Sequence, residues 1–243
     1  MDVKLFVPCF IDLLFPEAGW ACVELLERAG CNVHYDERIT CCGQPAFNSG
    51  YQSEAAKVAT RVLSLLSEDD MPVVIPSGSC GSMIQHHYGS LPLENVDLEK
   101  WKKLQGRLFE FTQFWVEQLG NPLLSNNRTG SILLHRSCHG LREMKIGQHA
   151  ETILRGIEGL TIHTTDDRDA CCGFGGTFSV KFPELSVTMA DVKLKQAIEK
   201  KTDAIVANDT SCLMHMKARA EQKNLPLKFL SVAEVMVGTG AIA

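Results

Sequence analysis

The chain contains ten cysteines, and eight of them form a repeated pattern. The triplet Cys41-Cys42-Gly43 recurs as Cys171-Cys172-Gly173, 130 positions later. Cys9 recurs as Cys138 at an offset of 129, and Cys80 as Cys212 at an offset of 132. The surrounding segments correspond as well: LFVPC with LLHRSC, and VVIPSGSC with AIVANDTSC. Four thiols per repeat make a donor set for a soft metal or an iron-sulfur cluster. Adjacent cysteines on a regular strand would point to opposite faces. On a glycine-linked loop both can reach different irons of one cluster, which favours a cluster over a lone zinc ion. Gly43, Gly173, Gly175 and Gly176 give such loops the conformational freedom for a close backbone approach. Structural zinc sites usually show short CxxC pairs, and none occurs. Zinc, disulfides and plain cysteine burial stay open as alternatives. Cys22 and Cys31 have no counterpart in the repeat and read as buried small hydrophobes.

These cysteines need strands and helices to bring them together. Short apolar runs predict strands at Val3–Val7, Asn32–Tyr35 and Val73–Ile75. The second half repeats them at Ser131–Leu134, Leu160–His163 and Ala204–Ala207, with a further strand at Leu227–Leu230. Apolar residues at three- and four-residue spacing predict helices at Trp20–Ala29, Ser53–Leu66 and Phe109–Leu119. Others follow at Ile146–Leu154, Leu185–Glu199 and Leu213–Gln222. Strands alternating with helices predict an α/β fold of two pseudo-repeated modules, each a small parallel sheet flanked by helices. Turn formers cluster at Leu119-Gly120-Asn121-Pro122 and from Ser125 to Gly130, so the modules are expected at 1–125 and 126–243. Each cysteine position follows the end of a strand. In a parallel sheet those ends share one edge, where ligands bind. The helices that start there would aim N–H groups at the sulfurs and favour thiolates.

The 243 residues carry a net charge of −5, with 45% hydrophobic and 22% charged. These values fit a globular chain and lack the basic footprint of a nucleic-acid binder. No apolar stretch approaches the roughly 20 residues of a membrane span. Pro8 and Asp12 interrupt the N-terminal apolar run, so a signal peptide is not expected. A cytoplasmic location follows, where thiols stay reduced and serve metal or redox chemistry. No dinucleotide or P-loop motif is present, and no short-spaced ferredoxin run occurs. His86-His87 reads as a surface pair. His135 and His139 flank Cys138 and could hydrogen-bond a cluster sulfur or relay a proton, and Arg136 could offset cluster charge.

The pattern Cys9-x31-Cys41-Cys42-Gly43-x37-Cys80, repeated as Cys138-x32-Cys171-Cys172-Gly173-x39-Cys212, resembles the CCG cysteine-rich domain. That domain occurs twice in a subunit of heterodisulfide reductase and in related oxidoreductases. The segments TCCGQPAFNSGY, PSGSC, ACCGFGGTFSVK and SVAEVM resemble the stand-alone form, the lactate utilization protein A family. The resemblance implies an iron-sulfur electron transport subunit of a multi-protein system oxidising L-lactate to pyruvate. Its implied companions are a ferredoxin-type iron-sulfur protein and a third subunit. It further implies two clusters, expected as 4Fe-4S, one on Cys9, Cys41, Cys42 and Cys80, the other on Cys138, Cys171, Cys172 and Cys212. The chain departs from the reductase pattern at one point in each repeat. Met83 in CGSM and His215 in CLMH replace the last cysteine of CxxC, so a fifth thiolate is missing, and His215 is a candidate nitrogen ligand. Two alternatives remain: a thiol-disulfide reductase using a CCG-bound cluster, and a zinc-stabilised structural protein. Lactate oxidation removes two electrons and two protons, and without a flavin or nicotinamide motif this chain is expected to act only with its companions.

Overall fold

The computed structural model describes residues 1–123, 126–165 and 170–242. Ser125, at the expected module boundary, lies outside the described residues. The first half runs β1 (Asp2–Leu5), α1 (Cys9–Leu14), α2 (Pro16–Arg28), β2 (Asn32–Tyr35), α3 (Gln44–Asn48) and α4 (Gln52–Leu66). It continues with β3 (Val73–Ile75), α5 (Gly78–Ser82), α6 (Asn95–Gln105), β4 (Leu108–Glu110) and α7 (Phe111–Gln113). α7 runs on as a π-helical turn to Gln118. The second half runs β5 (Asn127–His135), α8 (Cys138–Arg142), α9 (His149–Arg155), β6 (Glu158–Thr164), α10 (Thr177–Lys181) and α11 (Pro183–Glu199). It ends with β7 (Ala204–Ala207), α12 (Thr210–Gln222), β8 (Lys228–Ser231), α13 (Val232–Val237) and a short β9 (Gly240–Ala241) beside the start of β5.

The fold is the expected α/β arrangement of two parallel sheets. Their orders are β2-β1-β3-β4 and β6-β5-β7-β8, so the second repeats the first. Helices cover both faces of such sheets, which is why the inner strands are unbroken apolar runs. Val73–Ile75 and Ala204–Ala207 are buried throughout. α4 buries Ala55, Ala59, Val62, Leu63 and Leu66, spaced three and four apart along one stripe. α2 and α11 each begin on a proline, whose fixed φ suits the first helical turn.

One expected element differs. Leu108–Glu110 pairs with β3 as a fourth strand, and the helix expected from Phe109 starts only at Phe111. The Glu110 carboxylate at the strand end accepts from the backbone N–H groups of Thr112 (2.7 Å) and Gln113 (3.2 Å), which fixes the helix start. An apolar spacing of three cannot separate a helix from a strand that turns into one.

The largest core cluster draws on both halves. It joins Leu25, Leu26, Phe111 and Trp115 to Ile153, Leu154, Val235 and Met236. The helix after the last strand of each half crosses to the other: α13 packs on α2, and α7 on α9. Cys22 and Cys31 lie buried in this shared core, as expected of small hydrophobes. Among the described residues, no helix is long and apolar enough to cross a membrane.

Candidate metal centre

In a sheet ordered 2-1-3-4, the chain connections reverse direction between β1 and β3. That reversal opens a crevice beyond the strand ends. Cys9 comes off β1 and Cys80 off β3, on either side of it, and the Cys41-Cys42 loop follows β2. Cys138, Cys212 and Cys171-Cys172 take the same places in the second sheet. Cys9 and Cys138 are the first residues of α1 and α8, while Cys80 and Cys212 are third in α5 and α12. All four therefore sit in first helical turns, where free N–H groups favour negative charge. Ser77 caps α5, its Oγ accepting from the Cys80 N–H at 3.3 Å.

The structure brings each set of four together. Cys9 Sγ lies 4.0 Å from Cys41 Sγ, and Cys42 Sγ lies 3.3 Å from Cys80 Sγ. Cys41 Sγ accepts from the Gly43 N–H at 3.4 Å, and Cys171 Sγ from the Gly173 N–H at 3.3 Å. The Cys41 thiol is held well below the ordinary range because the Cys42 and Cys9 thiols donate to it, with help from Gly43. Cys171 is lowered likewise by Cys138, Cys172 and Gly173. Their donors move the other way. Cys9 is pushed up by Cys41 and by burial, and Cys138 by Cys171 and by burial. Cys42 rises through Cys41, Cys80 and burial, and Cys172 through Cys171, Cys212 and burial. Cys212 is lowered to about 7, first by the Cys172 thiol and also by His135, against its burial. Binding a metal would release the protons that these thiols hold. None of the ten cysteines is in a disulfide.

The two CCG turns share a geometry but differ in tightness. Gly43 and Gly173 have φ of +86° and +95°, where an L side chain is strained. At Gly43 a Cβ would meet its nearest neighbours at 3.4 Å, whereas at Gly173 it would lie 2.4 Å from the Ser186 carbonyl oxygen. Gly43→Ala should cost about 1–2 kcal/mol from the left-handed backbone alone. Gly173→Ala should cost clearly more, because α11 must also move. Denaturant midpoints of the two variants check this, and equal midpoints would contradict it.

Seven of the eight repeated cysteines, all but Cys41, border a single cavity of about 510 Å³. It lies where the halves meet. Phe10 and Phe174 close part of it with an edge-on contact at 5.7 Å between ring centres. Asp209 Oδ1 accepts from Ser77 Oγ (2.8 Å), the Ser79 N–H (3.0 Å) and Ser79 Oγ (2.8 Å), tying one half to the other. In the repeat, Asp209 takes the place of Ser77, so this link joins equivalent positions. α5 and α8 come together at glycine: a Cβ on Gly78 would sit 3.1 Å from the backbone of Gly140 and from Asp209 Oδ2. Sequence reasoning missed Asp209, although the alignment of PSGSC with NDTSC places a carboxylate where the first repeat has a hydroxyl.

The histidines separate. His139 borders the cavity, with Nδ1 3.6 Å from Cys138 Sγ. His135 is buried, and a ring nitrogen lies within 4.8 Å of both Cys172 Sγ and Cys212 Sγ. His215 is directed elsewhere: Nε2 faces Ser186 Oγ at 3.2 Å and the Ser186 carbonyl at 3.3 Å. Met83 is buried in the apolar core of the first half. His87 pairs with Glu143 at 3.1 Å, and Arg136 pairs with Glu151.

The family profile of the cysteine-rich domain, CCG, matches residues 3–85 and 132–217, one match around each quartet. Lactate utilization protein A of Halalkalibacterium halodurans is 39% identical over 236 residues, covering 97% of this chain and 96% of the relative. Lactate utilization protein A 1 of Bacillus mycoides is 38% identical over 240 residues, covering 97% and 96%. A hypothetical protein from Helicobacter pylori has a similar fold, with a TM-score of 0.62 at 11% identity. The match covers 97% of this chain and 48% of that one, so this chain spans about half its length. A duplicated CCG module with similarity along nearly its whole length makes this chain a member of the CCG cysteine-rich domain family, in its lactate utilization protein A branch.

Proposed function

We propose that this chain is an iron-sulfur electron-transfer subunit of a cytoplasmic multi-protein system that oxidises L-lactate to pyruvate. One observation carries the reading: two separate quartets of thiols open on one shared cavity. The residues fit the group. Sulfur donors in fours suit iron-sulfur ligation, and two of them already accept backbone N–H bonds at 3.4 and 3.3 Å. Cys9, Cys41, Cys42 and Cys80 would hold one cluster, and Cys138, Cys171, Cys172 and Cys212 the other, each expected as 4Fe-4S. Bound clusters supply one-electron uptake and release. The protein places Cys9, Cys80, Cys138 and Cys212 in first helical turns, where backbone dipoles offset thiolate charge. Phe10, Ile11 and Phe174 line the cavity with apolar surface that limits water. The lactate link rests on the names of the relatives, and a ferredoxin-type iron-sulfur protein and a third subunit are the proposed companions.

Metal and acid-labile sulfide analysis of chain kept free of air tests the reading. It should give about eight irons per chain with matching sulfide, together with an EPR signal on reduction. Stoichiometric zinc without sulfide would sink it and leave a zinc-stabilised structural protein.

A further inference from the structure

The two quartets have different surroundings. Three residues before Cys138, at the end of β5, stands His135, and three residues before Cys9 stands Phe6. Both side chains are buried. Phe6 belongs to the apolar packing of the first half. Against the second quartet, His135 offers a ring nitrogen. That nitrogen, Cys172 Sγ and Cys212 Sγ all lie within 4.8 Å of one another. Nε2 of His135 is buried and has no hydrogen-bond partner among the described residues. Burying a ring nitrogen without a partner is costly, which sets His135 apart from an ordinary core residue. A sulfur and a nitrogen bound to one tetrahedral ion stand about 3.5 Å apart, given metal–sulfur and metal–nitrogen bonds of about 2.3 and 2.0 Å. A modest approach of the ring nitrogen to the sulfurs is enough.

We infer that His135 is a nitrogen ligand of the second centre, beside Cys172 and Cys212, whereas the first centre is held by sulfur alone. The inference rests on the iron-sulfur reading above. The Nε2 of His215, the nitrogen candidate in the CLMH segment, already faces Ser186. His135 reaches the sulfurs from the central strand instead, where no ligand motif marks it. The chain therefore carries two chemically distinct centres on equivalent scaffolds.

The test is pulsed EPR on reduced, air-free chain prepared with ordinary and with isotope-labelled histidine. The expected result is a strongly coupled nitrogen that changes with the histidine label and disappears in His135→Phe. That variant installs the residue the first half already carries, and its iron content reports whether the remaining ligands hold. The labelled wild-type chain decides the question even if the variant folds poorly. Iron-sulfur signals without a directly bound histidine nitrogen would overturn the inference alone, as would a strong coupling that survives in His135→Phe. A chain that binds no iron would overturn the proposed function and this inference with it.

Discussion

Cys42→Ala is expected to remove about half of the bound iron and sulfide, from about eight irons per chain to about four. Cys172→Ala should remove the other half, and the double variant should hold none. Under the proposed function the two residues are equivalent inner ligands. Both are buried, and Cys42 lies 3.3 Å from Cys80. Losing a buried inner sulfur removes an anchor of a polynuclear group, so the affected centre is lost as a unit. The quartets border the same cavity, yet each is built from loops of a single sheet, and the ligand sets share no sulfur. Iron and sulfide analysis of air-free samples checks the expectation. Complete loss of iron from either single variant would show instead one centre built jointly by the halves.

Trp115→Ala should have the largest effect on stability. Trp115 is 2% exposed and stacks near Phe111, with ring centres 6.0 Å apart. It stands in the core cluster that contains both α2 and α13 residues. Removing a buried aromatic side chain of this size costs about 3–5 kcal/mol. Because the core is common, the loss should fall on both halves together. Denaturant unfolding of the metal-free variant, followed by circular dichroism and by labelling of cysteines in each half, should give one transition at a lower midpoint. Two separated transitions would refute the shared core as a cooperative unit.

The sequence was most readable where the chemistry of an element is local. The strands at Asn32–Tyr35, Val73–Ile75 and Ala204–Ala207 have the expected bounds, because each is a short run bounded by turn formers. α4 and α11 carry long apolar stripes and begin within two residues of the expected positions, whereas α2 and α12 begin four and three residues earlier than expected. α1 and α8 are six and five residues long, too short for a periodic signal, and α5 passes after Ser82 into a π-helical turn that breaks the α period. They are nevertheless the helices whose first turns carry Cys9, Cys80 and Cys138. The fixed offsets between repeats revealed which cysteines correspond, and strand order explains why each four converge. That both quartets open on one cavity was not legible. It depends on how α7 and α13 cross between halves, a long-range packing choice with no local signature. His135 stood out only as a neighbour of Cys138, and its approach to Cys172 and Cys212 needs the register of β5 against β7.

The crossing of α13 onto α2 and of α7 onto α9 bears on how such a chain could arise. A polypeptide with a single repeat would leave its terminal helix without a partner and its apolar sheet face bare. It could cover both only by pairing with a second copy and exchanging that helix, as a symmetric dimer does. Fusing two copies end to end would preserve every contact while releasing the subunits from identity. Serine and aspartate at positions 77 and 209, and phenylalanine and histidine at positions 6 and 135, are differences that a strict homodimer could never have held.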